Sequence, residues 1–211
     1  MPEPKRKTER DTKERLMDAA EAAILDKGFA ATSIEELIVE VGITKSGFFY
    51  HFPDKGALAK ALLERYLTRE EGIFDQIFDR ARELHDDPLH AFLIGLKLLA
   101  EMMEDLPNGH PGCLVASFCY QENMFNRDVR DLNREGVLRW RKRFRAHLDE
   151  IADRYPPRCA VNLDDLADML PALADGGIIV SKVVRDPKVL PAQIMLFREF
   201  VRTIFLGTDR N

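Results

Sequence analysis

The sequence predicts an all-α protein in which a small three-helix domain, residues 1–54, precedes a larger helical domain, residues 55–211. Apolar residues recur with i, i+3, i+4 spacing from end to end, and no stretch between turn signals alternates apolar and polar residues. The composition is 45% hydrophobic and 32% charged, which supports a sizeable core and excludes disorder and collagen. No uncharged apolar stretch approaches the roughly 18 residues of a membrane-spanning helix, so a membrane span is also excluded.

Local start and stop signals define the helices of the first domain. Gly28 is a suitable C-terminal stop for the first helix. Thr32 or Ser33 can cap the second helix, because an acidic residue follows at the spacing that reaches back to a cap. This helix ends near Gly42, and Thr44 can start the third after a turn of a few residues.

Six helices are predicted to follow. The clearest turn cluster in the chain, residues 108–112, separates the second of these from the third. Pro156-Pro157 ends the fourth, and Pro171 predicts a kink in the fifth. The first helix of the chain covers about residues 8–27, and the six later helices cover about 53–78, 86–106, 113–125, 127–155, 163–184 and 187–206.

Residues 33–52 combine a helix, a glycine-bearing turn and a second helix at the length of a helix-turn-helix. Periodicity alone fits any pair of packed helices, but the residues are more specific. Three separated elements carry the signature: Gly28-Phe29-x-x-Thr32-Ser33, Val41-Gly42-Ile43-Thr44-Lys45-Ser46-Gly47-Phe48-Phe49-Tyr50-His51-Phe52, and Asp54-Lys55 followed by Leu58. Over about residues 8–60 the chain resembles the N-terminal DNA-binding domain of the TetR family of bacterial transcriptional regulators. The rest of the chain is similar to that family only in length and helical layout.

The resemblance implies which side chains contact DNA. Lys45, Ser46 and Gly47 fall in the turn of the recognition helix that reads base edges in that family. Lys45 can donate to guanine O6 or N7, and Gly47 lets the backbone approach the groove closely. An alternative makes Thr32 and Thr44 plain helix caps and Lys55 a solvated charge, and both roles can hold together. The positions implied to lie near phosphates are Thr32, Ser33, Thr44, Tyr50, His51 and Lys55.

Two departures from the family pattern affect this interface. Phe49 stands where the family often has a tyrosine that bonds a phosphate, so Tyr50 or Thr44 would have to supply that contact. Ile38 and Val41 replace small residues, which predicts a slightly wider separation of the two short helices. The phenylalanines of the signature, Phe29, Phe48 and Phe52, are expected to fill the core of the small domain.

The resemblance also implies that the later helices bind a small molecule and form a dimer. Residues 127–145 contain eight basic and three acidic residues. Most of these charges are expected on a solvated face, but one or two turned inward would favour an anionic ligand. Aromatic and methionine side chains of the middle helices suit an adaptable pocket, although each one can equally be core. The candidate lining residues are Phe92, Leu96, Met102, Met103, Phe118, Phe125, Trp140 and Phe144.

The last two helices, about residues 163–206, are the candidate dimer interface. They carry more apolar surface than two terminal helices usually leave to one core, and pairing with a second copy would make a four-helix interface. Gly176-Gly177 would allow close approach of the partner helices. The alternative is that these apolar residues, namely Leu173, Ile178, Val180, Val184, Ile194, Phe197, Val201, Ile204 and Phe205, form an internal core.

The chain has three cysteines, an odd number, and no spacing typical of a metal site, so we expect no metal and no cofactor. Cys113 follows Pro111-Gly112 at a predicted helix N-terminus with His110 nearby, where a reactive thiol could sense electrophiles or oxidants. The alternative for Cys113 is a buried small apolar residue. A helical hydrolase using Cys113 and His110 is a further candidate, but the pair has no orienting third group or oxyanion site.

The charge distribution reconciles an acidic chain with a DNA partner. The net charge is −5, yet residues 1–15 hold six basic and four acidic residues and residues 41–52 hold Lys45 and no acid. Residues 18–40 hold six acids against Lys27. The N-terminus lacks the apolar core of a signal peptide, so a cytoplasmic location is expected. The resemblance implies a regulator rather than an enzyme, namely a homodimeric repressor that a small molecule releases from a palindromic operator. The sequence does not separate a repressor from an activator.

Overall fold

In a computed structural model of the protein, residues 4–207 are described, with the side chains of residues 12–207. Every regular element in that range is helical, which confirms the all-α prediction. Nine α-helices and one short 3-10 helix follow each other within it. The α-helices are α1 (Pro4–Lys27), α2 (Ile34–Val41), α3 (Lys45–His51), α4 (Lys55–Leu84), α5 (Pro88–Glu104), α6 (Leu114–Cys119), α7 (Arg127–Arg154), α8 (Leu163–Val184) and α9 (Val189–Leu206), and the 3-10 helix is Glu122–Met124.

The chain divides into two compact units. Unit 1 comprises Met1–Arg69 and Cys113–Gly136, and unit 2 comprises Glu70–Gly112 and Val137–Asn211. Helices α4 and α7 each contribute residues to both units. The predicted boundary after residue 54 separates a DNA-binding domain from a ligand-binding and dimerisation domain, and it stays a prediction.

Short-range signals start and end the helices of unit 1. Gly28 and Gly42 follow α1 and α2 with φ angles of +85° and +70°, the left-handed region that glycine adopts without strain. Ser33 caps α2, since its Oγ accepts the Glu36 N–H at 3.1 Å. Thr44 caps α3 in the same way, accepting the Gly47 N–H at 3.2 Å. These caps are the ones that the sequence predicts, with Ser33 rather than Thr32 at α2.

The predicted single helix over residues 113–125 is wrong. Helix α6 covers only Leu114–Cys119, and the 3-10 helix Glu122–Met124 follows. Across this break the rings of Phe118 and Phe125 stack with their centroids 4.4 Å apart. Residues seven apart on a continuous helix are displaced by about 10.5 Å along its axis, so this stacking requires the helix to end.

Aromatic rings fill much of the core of unit 2. Phe78 stacks on Phe92 at 5.6 Å between centroids and meets Phe144 edge-on at 6.2 Å. Gly95 makes room for this stack, because a Cβ there would lie 2.5 Å from the Phe78 ring. Helix α8 continues through Pro171, the position of the predicted kink.

A buried carboxylate fixes the start of α5. Asp87 accepts the backbone N–H of His90 at 3.0 Å and the Tyr155 hydroxyl at 2.7 Å. Burial raises the pKa of Asp87, but the hydrogen bonds from His90 and Tyr155 outweigh it and hold this pKa well below its usual range. The ionised Asp87 side chain therefore ties α5 to the end of α7.

Candidate nucleic-acid interface

Helices α2 and α3 form the predicted helix-turn-helix within unit 1. The turn between them is closed by the Ile43 N–H, which donates to the Ile38 carbonyl at 3.0 Å. Leu37 and Val41 bury their side chains from α2, and Phe48 is fully buried from α3. The Thr44 cap and the buried Phe48 ring hold α3 in place. The side chains of Lys45, Ser46, Phe49 and Tyr50 remain exposed to solvent.

The outward face of α3 carries the residues predicted to contact DNA. Lys45 and Ser46 are exposed in the first turn, and Tyr50 is exposed further along. His51 is half-buried and meets the Tyr50 ring edge-on at 5.1 Å. Phe49 is also exposed and packs edge-on against Phe48 at 5.4 Å. The α3 surface therefore presents one ammonium group, the two hydroxyl groups of Ser46 and Tyr50, and the aromatic rings of Phe49 and Tyr50 within two turns.

The Lys45 ammonium group pairs with the Glu35 carboxylate on α2 at 3.2 Å, and both side chains are mostly exposed. A hydrogen bond from its own backbone, then the Lys45 ammonium group, hold the pKa of Glu35 below its usual value. Exposed ion pairs are weak, so Lys45 can exchange Glu35 for a base edge. The sequence reasoning missed this pair, since residues ten apart across a turn follow no local spacing rule.

Three hydroxyl groups at this surface, those of Ser33, Thr44 and Ser46, are candidates for hydrogen bonds to a phosphate. The Thr44 Oγ1 is 2.9 Å from the Ser46 Oγ while it also caps α3. The Ser33 Oγ caps α2. A hydroxyl oxygen that accepts one hydrogen bond still has its own O–H to donate. Capping and phosphate binding are therefore compatible at Ser33, and also at Thr44 when the Ser46 hydroxyl is the donor in the bond between them.

Thr32 differs from this prediction. Its side chain is 1% exposed, and its hydroxyl donates to the Gly28 carbonyl at 3.0 Å. Thr32 therefore neither caps α2 nor offers its hydroxyl at the surface. The physical reason is the turn after Gly28, which directs residue 32 inward against α1 and leaves residue 33 to cap the helix.

Lys55, the first residue of α4, is not the solvated charge of the alternative prediction. Its ammonium group donates to the Phe29 carbonyl and lies 4.0 Å from the centroid of the Phe29 ring. Burial lowers the pKa of Lys55, and the Glu36 carboxylate opposes this shift only in part. A phosphate contact at Lys55 stays a prediction, and it would compete with Phe29 for the same ammonium group.

Ion pairs offset part of the acidic charge of residues 18–40. Arg65 of α4 donates to Asp18 at 2.8 Å and to Glu21 at 2.8 Å. Arg69 donates to Glu21 as well, at 2.6 Å. Lys27 pairs with Glu36 at 2.7 Å. Arg65 and Arg69 therefore reduce the acidic balance of this stretch within unit 1, while the side chains of the basic residues Lys5, Arg6 and Lys7 lie outside the described ones.

A cleft of unit 2 with a volume of about 550 Å³ lies between the second half of α4 and α7. Arg139 donates to Glu71 at 3.2 Å and Arg143 donates to Asp75 at 2.6 Å, so these cations face acids. The buried Nε1 of Trp140 has no hydrogen-bond partner. The residues that line this cleft are Glu71, Asp75, Phe78, Asp79, Arg82, Arg139, Trp140, Lys142, Arg143, Ala146 and His147.

The predicted ligand-lining residues are divided between the two units. Trp140 lies at the cleft, and Phe118 and Phe125 belong to unit 1 and pack against Phe29. Because aromatic residues at helical spacing fill cores as readily as pockets, ligand contacts of these residues stay a prediction. Of the remaining candidates, Phe92, Leu96 and Phe144 are buried in unit 2, and Met102 and Met103 are half-buried on α5.

The candidate dimer helices divide their apolar residues between two faces. The internal-core alternative is confirmed for Ile178, Ile194, Phe197, Val201, Ile204 and Phe205, which are buried within one chain. Gly177 also serves internal packing, since a Cβ there would lie 3.1 Å from the Cα of Leu190, whereas a Cβ on Gly176 would meet open space. A second set of apolar residues is exposed, namely Ile179, Val180, Val183, Val184, Leu196 and Phe200.

Cys113 is 8% exposed, and its Sγ accepts the Ala116 N–H at 3.4 Å. The His110 Nδ1 accepts the Gly112 N–H at 3.2 Å. Within the described side chains no group of three His, Cys, Asp or Glu residues is arranged to hold a metal ion. Among residues 4–207, no helix combines the length and the apolar character that crossing a membrane requires.

Comparisons with known proteins agree with this geometry. Residues 16–62 match the family described as bacterial regulatory proteins, tetR family. The chain is 31% identical over 93 residues to an uncharacterized HTH-type transcriptional regulator, YvkB of Bacillus subtilis, a match that covers 44% of this chain and 46% of YvkB. The chain therefore spans less than half the length of that relative.

Two solved structures share the fold over nearly their whole length. A TetR-family transcriptional regulator from Agrobacterium tumefaciens has a TM-score of 0.76 at 18% identity, covering 93% of this chain and 99% of the other. The reduced form of NemR from Escherichia coli has a TM-score of 0.72 at 19% identity, covering 94% of this chain and 100% of the other. Identity this low shows the fold alone.

Proposed function

Because the chain belongs to the TetR family of bacterial regulatory proteins, we propose that it binds operator DNA through α3 as a homodimeric repressor, which a small molecule releases. The observation that carries this proposal is the first turn of α3. There Lys45 and Ser46 are exposed on a short helix that the Thr44 cap and the buried Phe48 hold in place. A partner with hydrogen-bonding edges in a groove of helix width fits this surface, and the major groove of duplex DNA is such a partner.

Within this proposal the residues divide into two roles. Lys45 leaves Glu35 and donates to guanine, while Ser46 offers a hydroxyl to a neighbouring base edge. Ser33, Thr44 and Tyr50 donate to phosphates, which fixes the register of α3 in the groove. The operator DNA makes the cytoplasm the expected place of action.

Gly47 provides a sharp test, because alanine fits there in the free protein. A Cβ on Gly47 would lie 3.5 Å from the Thr44 Oγ1 and 3.6 Å from Ile43, which are ordinary contacts. Gly47→Ala should therefore fold at least as stably as the native protein. If the α3 backbone approaches the groove closely, the added methyl group should weaken operator binding at least about tenfold, a free-energy cost of about 1.4 kcal/mol.

The matched control is Gly72→Ala in α4, where a Cβ would meet no atom within 4 Å. Gel shifts with duplexes covering the DNA upstream of the protein's own gene and of neighbouring promoters supply the measurement. Gly72→Ala should bind as the native protein does. Native-like binding by Gly47→Ala would contradict the role given to α3.

The homodimer rests on the exposed apolar residues of α8 and α9, which are unusual for a surface that stays in water. Val183, which is 76% exposed, can be replaced without touching the internal core. Val183→Glu should give a monomer in light scattering at micromolar concentration, where the native protein should give a dimer. A native protein that is monomeric under those conditions would remove the dimer from the proposal.

The effector site within this proposal is the cleft of unit 2. Its volume of about 550 Å³ lies in the range of small-molecule sites, and Trp140 offers an indole without a hydrogen-bond partner. An anionic aromatic molecule would take Arg139 and Arg143 from their acidic partners. A panel of small aromatic carboxylates tests this class, with release from DNA as the readout. If Arg143→Glu leaves the response to an active compound unchanged, the anionic class is wrong.

A further inference from the structure

The turn between α1 and α2 is contacted by a segment more than 80 residues further along the chain. The Gln121 Oε1 accepts the Ala30 N–H at 2.9 Å. The Nε2 of the same side chain lies where residue 28 has no side chain, since a Cβ on Gly28 would be 2.5 Å from it. The φ angle of +85° therefore favours glycine at residue 28, and a Cβ there would displace the Gln121 amide.

Phe29 continues this contact with its ring. The ring lies 4.5 Å from Phe125 and 6.0 Å from Phe118, measured between centroids. Phe118 and Phe125 stack on each other, so the three rings form one cluster, and all three are buried. Aromatic pairs at such distances attract each other beyond the effect of their burial. Residues 113–126 thus contact the turn through the Gln121 side chain and through the rings of Phe118 and Phe125.

Phe29 also contacts the helix that follows α3. The Lys55 ammonium group donates to the Phe29 carbonyl and lies over the Phe29 ring. Lys55 begins α4 three residues after Phe52, which ends α3. A single residue, Phe29, therefore connects the segment of residues 113–126 to the end of the helix-turn-helix, and all of these residues belong to unit 1.

We propose that Phe29, Gln121, Phe118, Phe125 and Lys55 form a latch in which Phe29 is the positioning residue that holds α3 and the start of α4 for operator binding. The conformation of residues 113–126 and the affinity for DNA are then coupled, and coupling between two sites is reciprocal. This inference rests on the proposed DNA-binding function. It adds that a segment without a DNA contact sets the operator affinity.

Amide hydrogen exchange on the full-length protein tests the latch, with and without the duplex that the native protein selects from a random-sequence pool. The reporters are the amides of Gln121, Met124 and Phe125, which donate to the carbonyls of Phe118, Gln121 and Glu122. In the native protein their exchange should slow at least about fivefold when the duplex is added, the lower end of typical couplings. In Phe125→Leu this slowing should disappear, and the duplex affinity should fall by a similar factor.

Two variants separate the latch from a general loss of stability. Tyr120→Ala changes an exposed residue of the same segment, and Leu67→Val trims a buried side chain that packs on Gly136 within unit 1. Both should keep the native affinity and the native slowing. If Phe125→Leu does not fold, Gln121→Ala removes only the bond to the Ala30 N–H and should give the same two losses.

The outcomes distinguish this inference from the proposed function. A native protein that selects and binds a duplex without slowing exchange at residues 121–125 overturns the latch and leaves the DNA-binding proposal standing. A Leu67→Val variant that loses affinity and slowing as Phe125→Leu does also overturns the latch. A native protein that selects no duplex overturns both.

Discussion

Acidification from a pH of about 7.5 to about 5 should destabilise the protein through His147. The imidazole ring lies beside the stacked pair of Phe78 and Phe92, with centroids 4.7 Å and 5.4 Å away. Burial lowers the pKa of His147 from 6.5 to about 4, and the cations Arg82 and Arg143 contribute to the shift. His147 is therefore neutral in the folded protein at pH values above about 4.

The size and sign of the effect follow from proton linkage. The pKa in the folded protein is lower than in the unfolded chain, so the unfolded chain takes up the proton first as the pH falls. No stability is lost above the unfolded value of 6.5, and the loss is complete below the folded value of about 4. At a pH near 5 the loss amounts to about 2 kcal/mol. For a chain of this size that lowers Tm by roughly 4–8 °C.

Thermal denaturation of the native protein and of His147→Phe at both pH values measures this effect. Phenylalanine keeps an aromatic ring beside Phe78 and Phe92 but does not titrate. Other groups titrate in both proteins and cancel in the comparison. Acidification should therefore lower Tm by roughly 4–8 °C more in the native protein than in the variant. Equal losses in the two proteins would refute the account of His147.

Three further predictions test the interface and the cysteine. Gly28→Ala should cost about 2 kcal/mol in thermal denaturation, because the new side chain strains the left-handed backbone and its Cβ clashes with Gln121, which loses its bond to the Ala30 N–H. In a Gln121→Ala background the same substitution should cost only the part due to backbone strain. A clash cost that persists in that background would contradict the geometry. The log–log slope of operator affinity against salt should be milder than about −8 for the dimer, because Lys45 and Lys27 already face acids, and a steeper slope would mean that the basic N-terminal residues also grip DNA. Cys113 is buried, so Cys113→Ser should be released from DNA by N-ethylmaleimide or hydrogen peroxide to the same extent as the native protein, and a lost response would favour the electrophile-sensing alternative.

The features that could be predicted from the sequence are those that a few neighbouring residues determine. Ser33 and Thr44 cap their helices because the cap and its target N–H are three residues apart. Helix α8 begins and ends at its predicted residues, since Asn162 caps it and Arg185 ends it in the left-handed region. The apolar periodicity was sufficient for the helical class and for the order of the helices.

The features that could not be predicted depend on distant contacts. The break after α6 arises from Phe118 and Phe125 stacking beside Phe29, and no spacing within residues 113–125 encodes that partner. Lys55 has a side chain suited to bind a phosphate, yet its ammonium group donates to the carbonyl of Phe29, which is 26 residues away in the sequence. The ligand lining could not be derived for a related reason, because a buried aromatic residue has the same sequence pattern whether it fills a core or lines a cleft.

The same contrast applies to charge. Counting residues 18–40 gives an acidic surface behind the recognition helix. In the structure Arg65 and Arg69 form ion pairs with Asp18 and Glu21 of α1. Both arginines lie on α4, which begins at residue 55, far along the chain from these acids. The local field at α3 therefore depends on which ion pairs form, and the count of charged residues alone does not give it.

The central claim is that α3 reads operator DNA, and footprinting on the duplex that the native protein selects tests it most directly. The account predicts two protected half-sites related by a two-fold axis, with centres about 34–36 Å or a similar groove-matched spacing apart. Protection should be lost in Gly47→Ala and kept in Gly72→Ala. A protein that protects no sequence, or a Gly47→Ala variant that protects the native sites at the native concentration, would contradict the account.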